Sequence, residues 1–315
     1  MRVGAIDCGT NSIRLLIADM EEGADGAIHL SEVVRRMKIV RLGKGVDATG
    51  WLAKESLERT FEAAREYAGL LKEHGAQKVR FVATSATRDA GNRHIFMNGI
   101  QEILGVEPEI ISGTEEAALS FAGALSSVGN TEQMTLVIDL GGGSTEFVLG
   151  NKDGVAASQS VNIGCVRMTE RHVSSNPPSV DQIARVIADT DRAIGGASAE
   201  VDFSVAERLV GVAGTVTTVT AHALGLDSYD PQAIDRTELS IKDISKAAAD
   251  LVAMTTEERA ELGFMHEGRV DVIGAGSIVW ARIIERISKM TEGRVSTAIA
   301  SEKDILDGIA LSLAR

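Results

Sequence analysis

A chain of 315 residues, 44% hydrophobic and 24% charged, has the make-up of a soluble globular protein and the length of one large domain or, more typically, two of about 150 residues. A formal net charge of −13 excludes general affinity for nucleic acid or anionic membrane, and no run of about 18 uncharged apolar residues exists to cross a bilayer. The opening "MRVGAID" lacks the pattern of a secretory leader and the two cysteines, Cys8 and Cys165, form no CxxC pair, so a reducing cytoplasm is expected.

In chain order, residues 2 to 20 alternate apolar and polar letters about a glycine loop, as two strands joined by a turn do. A third strand is expected near Val33 to Leu42. Leu57, Phe61, Ala64, Ala68 and Leu71 then recur at spacings of three and four, with Gly75 as a stop, which predicts an amphipathic helix. "VRFVATSATR" reads as a strand, "RHIFMNGIQEILG" as a helix, "EPEII" as a strand, and "TEEAALSFAGALSS" as a helix entered through Ser112, Gly113 and Thr114. The pattern restarts at "TLVIDLGGGSTEFVLG". A helix is predicted from about Val180 to Ile194, and "RLVGVAGTVTTVTAHALG" reads as strand, glycine turn and helix. "RVDVIGAGSIVWARIIERI" repeats that reading, and "RVSTAIA" and "SEKDILDGIALSLAR" close the chain as a strand and a helix. Such alternation predicts an α/β architecture with largely buried sheets.

"IDCGTNS" at Ile6–Ser12 returns as "IDLGGGS" at Ile138–Ser144, every position offset by 132 (139 − 7 = 132). The offset is a domain period, and two similar halves imply a cleft between them. In each copy a strand ends in Asp, a glycine-bearing loop follows, and a second strand leaves through Ser. Glycines let such a loop offer its N–H groups to an anion; a plain hairpin turn uses glycine too. Asp7 and Asp139 are candidate Mg²⁺ ligands, or caps of their own turns. The copies then diverge, with Arg14 in the first where Glu146 stands in the second (146 − 14 = 132).

Outside the repeat, Arg88 and Arg93 flank Asn92 in "TSATRDAGN", and arginine forks match phosphate oxygens. Glu115 and Glu116 open a helix, where carboxylates complement the dipole or, kept ionised, take a proton from water. Arg35, Arg36, Lys38, Arg41 and Lys44 crowd together with no acid between them, either as the charged edge of a sheet or as a path for a polyanion. Cys8 to Arg14 has the C-x5-R spacing of a thiolate phosphatase, but that loop needs a following helix, and "RLLIADM" reads as a strand.

Together, "DCGTNSIRLLIAD", "VRLGKGVDATG", "TSATRDAGN", "ISGTEEA", "VIDLGGGSTEFVLG", "IGCVRMTE", "GVAGTVTT" and "RVDVIGAGS" resemble, along essentially the whole chain, the Ppx/GppA phosphatases of the actin/Hsp70/sugar kinase superfamily. The resemblance implies two ribonuclease H-like α/β domains with mixed five-stranded sheets around an interdomain cleft. They would span 1–125, joined by a crossing-back helix at 301–315, and 126–300. It implies a homodimer that hydrolyses terminal phosphoanhydrides with Mg²⁺, for which Mn²⁺ can substitute. The catalytic glutamate falls on Glu116, with Glu115 its less favoured neighbour. Asp139 and Glu146 complete the catalytic set and, with Asp7, the metal set. Phosphate binding falls on Gly9, Asn11, Ser12, Arg14, Arg88 and Arg93 and on Gly141, Gly142, Gly143, Ser144 and Thr145. The extra C-terminal domains of long members are missing, so short-chain polyphosphate is the expected substrate. Guanosine pentaphosphate and a non-catalytic polyphosphate or alarmone sensor are the alternatives.

Overall fold

The computed structural model describes residues 1–23, 26 and 28–314. The chain divides into two compact units, 1–123 with 305–315, and 124–304, against expected limits of 1–125 with 301–315 and 126–300. Residues 301–304 go with the second unit because they continue its sheet edge: Ser301 N donates to Gly211 O at 3.0 Å and Glu302 N to Asp235 Oδ1 at 2.9 Å.

In the first unit, β1 (Arg2–Cys8), β2 (Ser12–Glu22), β3 (Ile28–Ile39), β4 (Lys78–Ala83) and β5 (Glu109–Ile110) form a mixed sheet in the order β3-β2-β1-β4-β5. Strand β3 starts and ends earlier than its apolar letters predict, because it pairs along the full length of β2, from Ser12↔Ile39 to Glu22↔Ile28. The helices are α1 (Val46–Thr49), α2 (Lys54–Glu73), α3 (Ser85–Asp89), α4 (Arg93–Leu104) and α5 (Gly113–Val128), the last counted with the second unit from Ala124 onward. Alternation along β1 sorts the core into two layers. Ile6 and Cys8 share one cluster with Leu57, Ala64, Leu71 and Tyr67 of α2 and Phe96 of α4. Val3 and Ala5 lie in another with Leu119 of α5 and Leu306 and Ile309 of the last helix. Period two places Asp7 on this second face.

The second unit repeats the plan with β6 (Thr135–Leu140), β7 (Thr145–Asn151), β8 (Gly154–Val161), β9 (Arg208–Val212), β10 (Glu238–Ser240) and β11 (Thr297–Ala300), ordered β10-β11-β9-β6-β7-β8. Its sheet has six strands rather than five. The addition, β10, is antiparallel to β11 and its three residues are too few to show a period. The helices are α6 (Cys165–His172), α7 (Val180–Ala197), α8 (Ala213–Ala223), α9 (Pro231–Ile234), α10 (Ile241–Ala253), α11 (Thr256–Ala260) and α12 (Ile273–Met290); α13 (Ile305–Ser312) belongs to the first unit. Helix α7 opens on a capping box, Ser179 with Gln182. The large core cluster lies on one face of the sheet, with Leu136, Ile138 and Leu140 of β6 facing Trp280 and Ile284 of α12.

One expected strand is absent. "RVDVIGAGS" forms a 3₁₀ turn at Glu267–Arg269 and then α12, so Gly274 and Gly276 sit in that helix's first turns. They serve close packing: a Cβ on Gly276 would meet Thr215 Oγ1 at 2.7 Å. Among the described residues no helix is long and apolar enough to cross a membrane.

Candidate active site

Strands β1, β4 and β5 run parallel, so their carboxyl ends share one edge, where open α/β sheets place ligands. The first glycine loop sits there. Gly9 N donates to Ser12 O at 2.9 Å and closes the turn. The loop's carbonyls point into the protein: Thr10 O accepts from Gly43 N at 2.8 Å, and Asn11 O accepts from Val40 N at 3.0 Å and Arg41 N at 2.8 Å. A trans peptide aims its carbonyl and the following N–H in opposite directions, so the amides after these carbonyls face away from that contact, as an anion cradle requires.

Asp7 and Arg14 are cross-strand partners. Arg14 donates to Asp7 Oδ2 from Nε at 2.9 Å and from Nη2 at 2.7 Å. Arg88, on α3 just beyond β4, sends Nη1 to Ile111 O at 3.1 Å and to Glu116 Oε2 at 3.0 Å. Glu116 is 7% exposed in the first turn of α5, whose start is capped by Ser112 Oγ accepting from Glu115 N at 3.1 Å. The neighbouring Glu115 is a different kind of group, its side chain 46% exposed and bound to Arg80 at 2.7 Å. Arg93 is exposed and reaches Arg88 O at 3.3 Å, while the Asn92 amide brackets the Leu52 backbone from within the core. The motif "TSATRDAGN" thus brings Arg88, not Arg93, to Glu116.

In the second unit, Asp139 and Glu146 are the equivalent cross-strand pair. They lie on the sheet face opposite the large core cluster, with Cβ atoms about 5 Å apart by strand geometry. Asp139 is 6% and Glu146 1% exposed, and Glu146 Oε1 accepts from Ser160 Oγ at 2.7 Å. Where the first unit sets a cation against its aspartate, the second sets another carboxylate. Its loop, Gly141–Ser144, closes through Gly141 N to Ser144 O at 3.1 Å.

All three glycine carbonyls of this loop are held by the start of α6. Gly141 O accepts from Cys165 N at 3.0 Å, Gly142 O from Val166 N at 2.9 Å and Arg167 N at 3.1 Å, and Gly143 O from Gly164 N at 3.3 Å and Arg167 Nε at 2.7 Å. The amides of Gly142, Gly143 and Ser144 are turned the other way. This clamp was not assigned from sequence. Its signal is "IGCVR", where any Cβ on Gly164 would stand 2.2 Å from the Gly142 carbonyl carbon. Thr145 braces the loop from the strand, donating to Ile163 O at 2.9 Å.

Arg269 is another residue the sequence reading passed over. Strands β6, β9 and β11 are parallel, and α8 begins directly at the end of β9, with Ala213 at φ 71 instead of a separate turn. Arg269 Nη1 donates to Gly214 O at 3.3 Å and Thr218 Oγ1 at 3.2 Å. The guanidinium lies 2.4 Å from where a Cβ on Gly214 would be, so glycine is needed for its approach. Beside it the Tyr229 hydroxyl donates to Glu302 Oε1 at 2.6 Å and lies 2.8 Å from Thr217 Oγ1.

Burial pushes the Glu302 carboxyl above its ordinary range. The folded state therefore binds this proton more tightly than the unfolded state, and stability falls as pH rises from the unfolded through the folded value. Glu302→Gln, which keeps the acceptor for Tyr229, is expected to raise Tm at neutral pH, with a gain that vanishes below about pH 4, where both states are protonated. Thermal unfolding of both proteins across that range checks it; a gain independent of pH would sink the assignment.

Among the described residues no three His, Cys, Asp or Glu side chains gather into a metal cage. The Asp139–Glu146 pair nevertheless fits Mg²⁺, which keeps several waters and takes one or two carboxylates plus phosphate oxygens. Asp7 fits less well, because Arg14 already supplies a positive charge at its carboxylate. The thiolate alternative fails on two counts. Cys8 is fully buried, burial and the Asp7 charge push its thiol well up, and the segment after its loop is strand β2. The basic strip is also divided. Arg35 binds the fully buried Asp307 at 2.6 Å and Glu32 at 2.7 Å, and Lys38 binds Glu66, so this half serves the edge strand and the anchoring of α13.

Exopolyphosphatase 2 of Mycobacterium tuberculosis is 46% identical over 321 residues, covering 99% of this chain and 98% of that protein. The crystal structure of an exopolyphosphatase-like protein superposes with a TM-score of 0.94 at 47% identity, covering 99% of this chain and 97% of the other. An exopolyphosphatase from Cytophaga hutchinsonii superposes with a TM-score of 0.88 at 27% identity, covering 99% and 97%. The model of the Ppx/GppA phosphatase family matches residues 16–313. Both glycine loops, their cross-strand acidic positions and the Arg88–Glu116 pair lie on a chain that, by this match over nearly its whole length, belongs to the Ppx/GppA phosphatase family.

Proposed function

We propose that this protein is a Mg²⁺-dependent exopolyphosphatase that releases terminal orthophosphate from short-chain inorganic polyphosphate. The observation that carries the reading is the 46% identity, end to end, with an exopolyphosphatase. In this reading the amides of the two glycine loops hold phosphate oxygens, with Ser12, Ser144 and Thr145 fixing the loops' exits and Arg93 available to distal phosphates. Asp139 and Glu146 would hold Mg²⁺, which would neutralise charge on the phosphoryl oxygens; Mn²⁺, with the same taste for oxygen ligands, could replace it.

Glu116 acts as the general base, oriented by the Arg88 guanidinium at 3.0 Å. It takes a proton from water as the new O–P bond forms; the bridging P–O bond breaks, and the shortened chain leaves with the bridging oxygen. Phosphoryl transfer passes through a loose transition state, so positioning and electrostatics supply most of the acceleration.

The test is phosphate release from short-chain polyphosphate and from guanosine pentaphosphate, each with Mg²⁺ and with EDTA. Polyphosphate turnover dependent on Mg²⁺ and exceeding that of the nucleotide is expected. Dominant turnover of the nucleotide would move the substrate assignment, and no turnover of either would leave a binding protein.

A further inference from the structure

The half of the basic strip that does not serve β3 leads elsewhere. Past Ile39 the chain turns away from the sheet, and Arg41 takes a left-handed backbone, φ 50, which a side chain bearing a Cβ adopts only at a cost. It is locked there from both sides: its N–H donates to Asn11 O of the first glycine loop at 2.8 Å, and its carbonyl accepts from Ser56 Oγ of α2 at 2.9 Å. The result is a recess of about 760 Å³ lined by Arg41, Lys44 and Arg59, by Trp51, and by the first turn of α2.

Three features of this recess favour an anion. It carries three cations against the single carboxylate of Glu55. Helix α2 is 20 residues long and its N-cap is Ala53, which has no side chain to cap with, so the positive end of a long helix opens onto the recess. Arg59 is pre-set for binding, its Nε on Val40 O at 3.0 Å and its Nη2 on Ser56 Oγ at 2.9 Å. Trp51 is 58% exposed at the rim, an unusual place for a large ring in a chain that is 3% aromatic.

We propose that this recess is a second phosphate subsite, which holds a condensed phosphate chain next to the first glycine loop. The proposal rests on the reading of that loop as a phosphate cradle. The ligand's chemistry is a run of linked phosphoryl groups, from inorganic polyphosphate or from a nucleoside polyphosphate whose base lies on Trp51.

Trp51 also supplies the readout, because the other tryptophan, Trp280, is only 1% exposed. Tripolyphosphate and guanosine pentaphosphate are titrated, without metal, into the Glu116→Gln chain, following tryptophan emission and heat. The expected result is a saturable emission change that disappears in Trp51→Phe and weakens by about tenfold in Arg41→Gly/Lys44→Ala, as the loss of charge-assisted contacts dictates. Glycine accepts the positive φ without strain, so this variant keeps the loop's backbone conformation, and thermal unfolding checks that it is folded at the temperature of the titration.

A response to tripolyphosphate identifies the inorganic chain as the ligand, and a response to the nucleotide alone identifies the nucleoside form. No emission change, or a double variant that binds like its parent, overturns the proposal. The two readings fail separately: silent emission with intact turnover removes only the subsite, and binding at the recess without turnover removes only the hydrolase.

Discussion

Glu116→Gln is expected to lower kcat for phosphate release by roughly 10²- to 10⁴-fold, the range for loss of a general base, with KM and Tm little changed. The amide is isosteric, and its oxygen can still accept from Arg88 Nη1, so the buried pair is not left broken. What it cannot do is take a proton. Glu115 cannot stand in for it, being half-exposed and bound to Arg80 at 2.7 Å, and Glu115→Gln should keep a rate close to that of wild type. Arg88→Lys separates orientation from proton transfer. A lysine keeps the charge but, on a shorter stem without the planar guanidinium, does not place a donor where Arg88 Nη1 meets both Ile111 O and Glu116 Oε2, so kcat should fall by less than in Glu116→Gln. Steady-state rates of the three variants, with thermal unfolding as the check on folding, decide the matter. A Glu116→Gln enzyme at wild-type rate would remove this residue as the base, and a Glu115→Gln enzyme that alone is dead would move the role one position back.

Much of this site is legible in the sequence. The 132-residue offset predicts that what Asp7 does with position 14, Asp139 does with position 146, and the registers Asp7↔Arg14 and Asp139↔Glu146 follow from a hairpin closing on the same turn. Other parts are not. Glycine is required by turns and by close packing alike, so "GAGS" read as a turn although Gly276 lies where α12 meets Thr215. The carbonyl clamp on Gly141–Gly143 comes from residues more than twenty positions away, and only the steric demand at Gly164 records it in sequence. Arg269 stands in a segment with no period of its own, and its proximity to α8 is a product of tertiary folding. Strand β3 departs from its apolar letters because edge strands are written in charges rather than in alternation. Tyr67, which carries the α2 stripe beyond its predicted letters, is buried because its hydroxyl finds Ile13 O at 3.0 Å.

Replacing Glu146 by Gln should abolish the response to metal. Arg14 and Asp7 form a pair that is neutral by itself, whereas Asp139 and Glu146 place two carboxylates opposite each other across antiparallel strands, where like charges repel. A divalent cation is the group that turns this repulsion into attraction, so Mg²⁺ should raise the Tm of the wild-type protein. At 100-fold excess over its dissociation constant it should add about 2.7 kcal/mol, or roughly 5–10 °C at the usual slope for a unit of this size. Glu146→Gln keeps the acceptor for Ser160 Oγ but halves the negative charge, as does Asp139→Asn. In either variant the Mg²⁺-induced rise should shrink to within about 1 °C, and phosphate release should fall by more than about 10²-fold, the scale for losing electrostatic stabilisation of a transition state. Arg14→Ala, in contrast, should leave the metal-induced rise intact, because its carboxylate partner belongs to the first loop. Thermal scans with Mg²⁺ and with EDTA on these three variants and on Asp7→Asn read this directly. A full Mg²⁺ shift in Glu146→Gln would place the metal elsewhere, and a shift lost only in Asp7→Asn would return it to the first loop.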